Sequence, residues 1–189
     1  MQWSKTKTTL ESFLCDRLKG RVRIHATVYR KFHDGPSKVW ITFDKREIVS
    51  ATDVTFAIEH EKLYQQLKEE NGLKPIPYHP DWNVMFQSEE REQLVRASDT
   101  ADETLIGKGI FDSNYLYTAC MEYPSLSIED AMNSEHIMIR AYSMFDRRLG
   151  KRRLKEIPLS DDIHPLIVEF YNIRCDVEGL SYDRSGTLE

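Results

Sequence analysis

The first residues of the chain carry an apolar pattern of helical period. Ser4 can cap a helix, apolar side chains recur at three- and four-residue spacing from Leu10 to Leu18, and Gly20 stands where a helix would stop. The pattern predicts a helix over about 4–19 whose apolar stripe faces the core.

The chain then changes to a period of two, which is typical of half-buried strands. Apolar and polar side chains alternate after Val22, again up to Phe43, and a third time from Ile48. The joins are short and polar, with the glycine and proline of a turn in 33–37 and a tight connection at 44–47. Three short strands joined in this way predict an antiparallel meander.

Helical spacing dominates the rest of the chain. Residues 53–58 either extend the sheet or open the next helix, and residues 99–108 form a polar break. Helices are predicted over 59–70, 88–98 and 114–123, from 127, over 134–149, and from a cap at Asp161 or Asp162 with Pro165 in its first turn. These elements predict an α+β fold, in which an N-terminal helix packs on a small antiparallel β-meander and a mostly helical C-terminal half follows.

Residues 73–87 interrupt the helices with three prolines and three aromatic side chains, Tyr78, Trp82 and Phe86. The segment predicts an extended connector between an α/β part, 1–72, and a helical part, 88–180, with a frayed tail at 181–189, all within one compact unit. Its aromatic side chains either pin the connector to the core or form a partner-binding loop.

Composition narrows the class of protein. The chain has 189 residues, of which 40% are hydrophobic and 11% aromatic, enough to bury a core. The three cysteines, Cys15, Cys120 and Cys175, are far apart, which predicts buried or half-buried free thiols rather than a disulfide framework or a zinc site. Without a signal-like start or an apolar run long enough for a membrane helix, we expect a cytoplasmic protein with no membrane partner.

The net charge of −5 conceals alternating blocks. Residues 1–50 and 140–155 each carry a net +6, whereas 51–139 carry −11 and 156–189 carry −6. Such blocks either neutralise one another within the fold or leave a basic face and an acidic face.

The densest basic block is the basic segment, which we define as residues 146–155. Its first half is explained by the end of a helix, because cations in a last turn face the partial negative charge of the terminal carbonyls and Gly150 stands at the stop position. Its second half either pairs with the acidic blocks of the same chain or forms a site for a phosphate, a nucleic acid or an acidic protein patch. The candidate binding residues of the basic segment are Arg147, Arg148, Lys151, Arg152, Arg153 and Lys155.

A second basic element lies on the polar face of the first strand. Arg21, Arg23 and Arg30 accompany His25 and Tyr29, which is typical either of a solvated strand face or of a nucleic-acid surface that combines cations with stacking. Whether this element and the basic segment meet is a question for the structure.

Motifs of catalysis are missing from the sequence. The glycines near the lysines do not have the spacing of a phosphate-binding loop, the histidines do not have metal-ligand spacing, and no nucleophile lies in a G-x-S-x-G context. We therefore predict no catalytic residue, no metal and no cofactor.

Two stretches together carry a resemblance. One runs from Trp3 through Leu18-Lys19-Gly20-Arg21 to Trp40-Ile41-Thr42, and the other joins Phe145-Asp146-Arg147-Arg148-Leu149-Gly150 to Phe170-Tyr171-Asn172-Ile173-Arg174 and Glu178-Gly179-Leu180. The chain resembles a family of small uncharacterised bacterial proteins over most of its length. The resemblance implies a bacterial origin and carries over no catalytic residue.

The leading hypothesis is a non-enzymatic cytoplasmic interaction protein that binds a protein or an anionic partner through its basic patches. A nucleic-acid-binding protein using the same cations is the second hypothesis, although the acidic blocks would repel a long polyanion. The third is an enzyme acting on a phosphorylated small molecule, with Asp146 or His25 as the acid or base.

Overall fold

The computed structural model describes residues 3–27, 35–160 and 162–180. The elements follow one another as α1 Trp3–Phe13, β1 Val22–Thr27, β2 Lys38–Phe43, β3 Arg46–Thr52, α2 Asp53–Glu70, α3 Trp82–Phe86, α4 Glu89–Gly107, α5 Ser113–Glu122, a 3₁₀ turn Tyr123–Ser125, α6 Ile128–Met132, α7 Ile137–Ser143, α8 Lys151–Lys155 and α9 Pro165–Glu178. The predicted α+β class is confirmed, with a helix, a three-stranded antiparallel sheet and a mostly helical C-terminal half.

The sheet has the strand order β1-β2-β3, which is that of the predicted meander. β1 and β2 pair antiparallel so that Ile24 lies opposite Ile41, and both are buried. Asp44 and Lys45 join β2 to β3 with positive φ angles of 47° and 69°. Two successive residues of this kind match the right-handed twist of a hairpin, so the turn sets the register of its strands.

The contacts of the chain divide it into two compact units. The first comprises Met1–Ala51 and Ser113–Glu189, and its core includes Leu10, Phe145 and Phe170. The second is Thr52–Asp112, in which α2 packs against α4. The sequence-based boundaries at 72 and 88 fall within this second unit and stay a prediction.

Helix α1 is shorter than its apolar pattern predicted, because it ends at Phe13 rather than near residue 19. The next residues pair with a distant part of the chain: Leu14 forms an antiparallel bridge with Asp146, and the amide of Cys15 donates to the carbonyl of Phe145 at 2.9 Å. A backbone extended by such pairing cannot continue the helix.

The prediction of one helix over 134–149 is also wrong, since α7 ends at Ser143. Arg147 and Arg148 therefore do not lie in a last helical turn, and Gly150 is not a terminal glycine. Gly150 has φ −70° and ψ 156° and caps the beginning of α8.

In the second unit, the predicted polar break over 99–108 is in fact helix. Ala97, Ala101 and Leu105 form a buried stripe at four-residue spacing along α4, and burial of this stripe outweighs the polarity of the intervening residues. Residues 53–58 are helical as the beginning of α2.

The cap of the last helix also differs from the prediction. His164, and not Asp162, caps the beginning of α9, because its Nδ1 accepts from the amide of Leu166 at 3.1 Å. The alternative cap, Asp161, lies outside the described residues. Pro165 stands in the first turn as expected.

Gly150, before α8, and Gly179, after α9, provide a test of where these helices begin and end. Gly179 ends α9 with φ 66°, a left-handed conformation that costs other residues about 1 kcal/mol, whereas Ser is favoured at a position like that of Gly150. We expect Gly179→Ser to lower the free energy of unfolding by about 1 kcal/mol and Gly150→Ser to change it by less than about 0.5 kcal/mol, measured by urea denaturation. Equal losses at the two positions would contradict the assignment of α7 and α8.

Candidate functional site

The basic segment begins with a fully buried acid. The side chain of Asp146 is 0% exposed, although the residue follows α7 and directly precedes the charged Arg147 and Arg148. Its Oδ2 accepts from the Tyr123 hydroxyl at 2.7 Å, and its Oδ1 accepts from the amide of Arg148 at 2.7 Å. With these bonds and 0% exposure, the carboxylate cannot serve as the acid or base that the enzyme hypothesis assigned to it.

Arg148 neutralises this buried charge. Its Nη2 lies 2.7 Å from Oδ2 of Asp146, its Nη1 donates to the carbonyl of Leu126 at 2.8 Å, and its guanidinium lies 4.3 Å from the centre of the Phe13 ring. The hydrogen bond to Asp146 raises the pKa of Arg148, and burial together with the Asp146 charge raises the pKa of Tyr123. Arg148 is thus committed to the fold and does not serve as a free cation for a ligand.

Arg174 supports the same turn from below the surface. It is only 3% exposed, and its guanidinium donates to the carbonyls of Asp146 at 3.1 Å and Leu149 at 3.3 Å. The Asp146 carbonyl also accepts from the amide of Leu149 at 3.2 Å, and the charged Arg174 donor adds to this turn bond in a stretch that has no regular secondary structure. In the sequence, Arg174 follows the apolar residues Phe170 and Ile173 at helical spacing and carries no signal of this role.

Glu178 joins Arg174 to helix α8. Its Oε1 lies 3.2 Å from Nε of Arg174, and its Oε2 lies 2.7 Å from Nζ of Lys151. Burial by itself raises the pKa of Glu178, but the hydrogen bond from Lys151 and the charges of Arg174 and Lys151 outweigh burial and leave the pKa below its ordinary value.

Two further cations of α8 also contact carboxylates of the same chain. Arg153 forms two contacts of 2.7 Å with Glu129, and Arg152 lies 3.1 Å from Glu156. Among the described residues, the side chains of Arg147 and Lys155 have no ion-pair partner. The backbone amide of Arg147 donates to the carbonyl of Phe13 at 2.7 Å, and the side chain of Arg147 is exposed.

The strand cations are paired separately. Arg21 binds Asp44 through two nitrogens and lies 4.7 Å from the centre of the Phe43 ring, and Arg23 lies 3.1 Å from Glu11. Arg30 lies outside the described residues. Each candidate binding residue that forms an ion pair in the described part of the chain does so with a different carboxylate. These contacts therefore give the two basic elements no shared anion site.

His25, the other acid or base candidate, stacks on Trp40 with ring centres 4.9 Å apart. Burial and the nearby charge of Lys7 lower the pKa of His25, although Glu11 acts in the opposite direction. A void lined by Leu10, Ile24 and Cys120 has room for about one water molecule, which is too small for a phosphorylated substrate.

A histidine cluster in the second unit resembles a catalytic triad in composition only. Nε2 of His60 lies 3.2 Å from the Ser98 hydroxyl and 3.4 Å from Oδ1 of Asp102. In a triad the hydroxyl and the carboxylate contact opposite ring nitrogens, whereas here both contact the same nitrogen. The cluster therefore joins α2 to α4 and does not activate the serine.

The second unit exposes large apolar side chains. Tyr78 is 86% exposed, Trp82 69% and Phe86 55%, and Val84 beside them is also exposed. We call these four residues the aromatic surface. The prediction that the aromatic side chains pin residues 73–87 to the core is wrong, and its alternative, a loop available to a partner, remains.

Within the aromatic surface, helix α3 sets the arrangement of the rings. The Asp81 side chain caps this helix by accepting from the amide of Asn83 at 2.9 Å. Trp82 and Phe86 are one turn apart, with ring centres separated by 6.2 Å. Trp82 and Phe86 therefore share one face of a formed helix.

A family model described as the SF0329 protein family matches residues 2–175. The chain belongs to the SF0329 protein family. The match covers both stretches on which the sequence resemblance rests, apart from Glu178-Gly179-Leu180. No curated protein and no solved structure matches the chain.

Two further kinds of site are missing from the described ranges of this member of the SF0329 family. Among residues 3–27, 35–160 and 162–180, no histidine, cysteine and carboxylate side chains group as metal ligands. No helix in the same ranges is both long enough and apolar enough to cross a bilayer. The three cysteines are free and buried, as the sequence predicted.

Removing the buried charge tests the role of Asp146. We expect Asp146→Asn to lower the free energy of unfolding by about 3 kcal/mol, because it leaves Arg148 without its counter-charge. Arg152→Gln removes an exposed ion pair and should change stability by less than about 0.5 kcal/mol. Urea denaturation followed by near-ultraviolet circular dichroism measures both, and a tolerated Asp146→Asn would contradict the assignment.

Acid titration tests Glu178. Because its pKa is lowered in the fold, its contribution to stability is fully present above the ordinary value of 4.5 and is lost as the pH falls through the lower folded pKa. We expect the difference in unfolding free energy between the wild type and Glu178→Gln to stay constant near neutral pH and to shrink in acid. Denaturant midpoints between about pH 3 and 7 measure it, and a difference that widens in acid would contradict the sign.

Proposed function

We propose that this protein is a non-enzymatic, cytoplasmic bacterial protein that binds another protein, with the aromatic surface as its binding face. The observation that carries the proposal is the exposure of Trp82 and Phe86 on one formed helical face. Tryptophan and tyrosine are enriched at the centres of protein interfaces, because they bury much area while ordering few torsions.

The location of exposed apolar area supports the same proposal. Among the described residues, the other large exposed hydrophobic side chains are Val54, Ile58 and Val95, which also lie in the second unit. Exposed apolar area grouped in one part of a chain is typical of interaction sites, whereas single exposed side chains are ordinary.

The basic patches of the leading hypothesis contribute less than the sequence suggested. Arg148, Lys151 and Arg153 hold carboxylates of the same chain, so an incoming anion would have to displace those contacts. Arg147 and Lys155, which have no such partner among the described residues, support a second candidate function, the binding of an anionic partner.

The remaining alternatives have weaker support. Nucleic-acid binding requires several cations free to contact phosphates, and the net charge of −5 opposes it. Catalysis on a phosphorylated molecule has less support, since Asp146, one of its two acid or base candidates, is buried and hydrogen-bonded within the fold.

Photo-cross-linking in the native cells compares the two surfaces directly. A benzophenone amino acid in place of Tyr78 should give a discrete cross-linked protein, and the same group in place of Lys155 should not. The product should disappear when Trp82→Ala and Phe86→Ala are combined, and it should persist when Arg147→Ala is introduced instead.

The opposite pattern would favour the second candidate, because cross-linking at position 155 but not at 78 would place the partner on the basic segment. An absence of cross-links at both positions would contradict protein binding at either surface. Thermal denaturation of each variant controls for folding, and the exposed positions of these side chains predict changes of less than about 1 kcal/mol.

A further inference from the structure

We infer that the partner presents a basic, amphipathic segment to the aromatic surface. This inference rests on the proposed function and adds the chemistry of the partner. It combines the apolar face of α3 with the charges that surround it.

The surroundings of the aromatic surface are acidic. Between Tyr78 and Glu92 the sequence has four carboxylates and a single arginine or lysine, Arg91. Three of these carboxylates lie in the first turn of α4, immediately after α3. The second unit as a whole, Thr52–Asp112, has 13 aspartates and glutamates against 6 lysines and arginines.

Of the three carboxylates in the first turn of α4, Glu89 and Glu90 form no ion pair among the described residues. Glu89 accepts a hydrogen bond from the neutral side chain of Gln93 at 3.0 Å, and the side chain of Glu90 has no partner among the described residues. Glu92 is paired, with Arg96. Charge remains available to a cation from outside.

The one cation of the surface shows how a second could bind. The guanidinium of Arg91 lies 4.7 Å from the centre of the Phe86 ring, and its Nη1 donates to the Phe86 carbonyl at 3.4 Å. A cation over an aromatic face is stabilised by the ring quadrupole, most strongly over tryptophan. A lysine or arginine of the partner would find the exposed Trp82 ring in this acidic part of the chain, while its apolar residues cover Phe86 on the same face of α3.

Charge also separates this occupant from the others. A nucleic acid or an anionic membrane would be repelled by the carboxylates. A second copy of the chain, docked by the same face, would bring Glu89 and Glu90 against their own equivalents, since a twofold interface pairs each patch with itself. A basic apolar segment satisfies both the rings and the acids.

Two labelled peptides with the same amphipathic helical pattern test the charge requirement. One carries leucine and lysine, and the other carries leucine and glutamate. Fluorescence anisotropy with the full-length protein should show binding of the lysine peptide, weakening with added salt, and no binding of the glutamate peptide.

Variants locate the binding. Combining Trp82→Ala with Phe86→Ala should weaken binding of the lysine peptide at least about tenfold, which is the size of an interface hot spot. Combining Glu89→Gln with Glu90→Gln should weaken binding and flatten its salt dependence. Combining Glu69→Gln with Glu70→Gln, the same change of charge at the exposed end of α2, is the matched control and should leave binding unchanged.

Several results would overturn the inference. Equal binding of both peptides would remove the charge requirement and leave protein binding intact, and binding that ignores the aromatic variant would move the site elsewhere. Binding of neither peptide would also refute the inference, while the cross-link at position 78 decides protein binding separately. A dimer in sedimentation that the aromatic variant dissociates would make a second copy the occupant, and association with phosphatidylcholine vesicles would make it a membrane.

Discussion

The carboxylate of Asp146 is the interaction on which the first unit depends. A charge removed from water costs several kcal/mol unless other groups replace its hydration, so the fold must bring donors to it. Tyr123 and Arg148 supply them, and Arg174 holds the carbonyls around it. To reach these donors the chain leaves helix α7 and runs beside Leu14, which in turn ends α1.

This requirement explains most of the basic segment. In the turn before α8, Arg148 pairs with the buried Asp146. Lys151 connects α8 to Glu178 of α9, and Arg153 connects α8 to Glu129 of α6. Exposed pairs such as Arg152 with Glu156 contribute little to stability. The dense positive run therefore consists largely of internal counter-charges, and the pairs most shielded from water are those with the buried carboxylates of Asp146 and Glu178.

Local pattern was sufficient for the sheet and insufficient for the basic segment. The first two strands followed from a period of two, because alternate residues are buried on one face, Val22 and Ile24 in β1 and Val39 and Ile41 in β2. The end of α7 could not be predicted, since Met144 and Phe145 continue the helical period and the partner strand at Leu14 is remote in sequence. The burial of Asp146 had no local signal, because it depends on Tyr123 and Arg174.

For the second unit the sequence contained a signal that polarity concealed. Ala101 and Leu105 continue the four-residue stripe of α4 through a stretch that looks like a loop. The aromatic side chains at 78, 82 and 86 were visible, but their exposure was not, because aromatic residues are more often buried than exposed. Only packing of the neighbouring helices reveals which aromatic residues the fold leaves uncovered.

Exposed rings carry a cost that the charge of the second unit offsets. An uncovered apolar face tends to associate with copies of itself, and an excess of carboxylates opposes that association by mutual repulsion. The same excess lowers the affinity for nucleic acids and for acidic proteins, so it acts as a filter as well as a safeguard. For the partner that we propose, which presents a basic amphipathic segment, this repulsion becomes attraction. The acidic composition and the exposed aromatic residues of the second unit would then act together in binding.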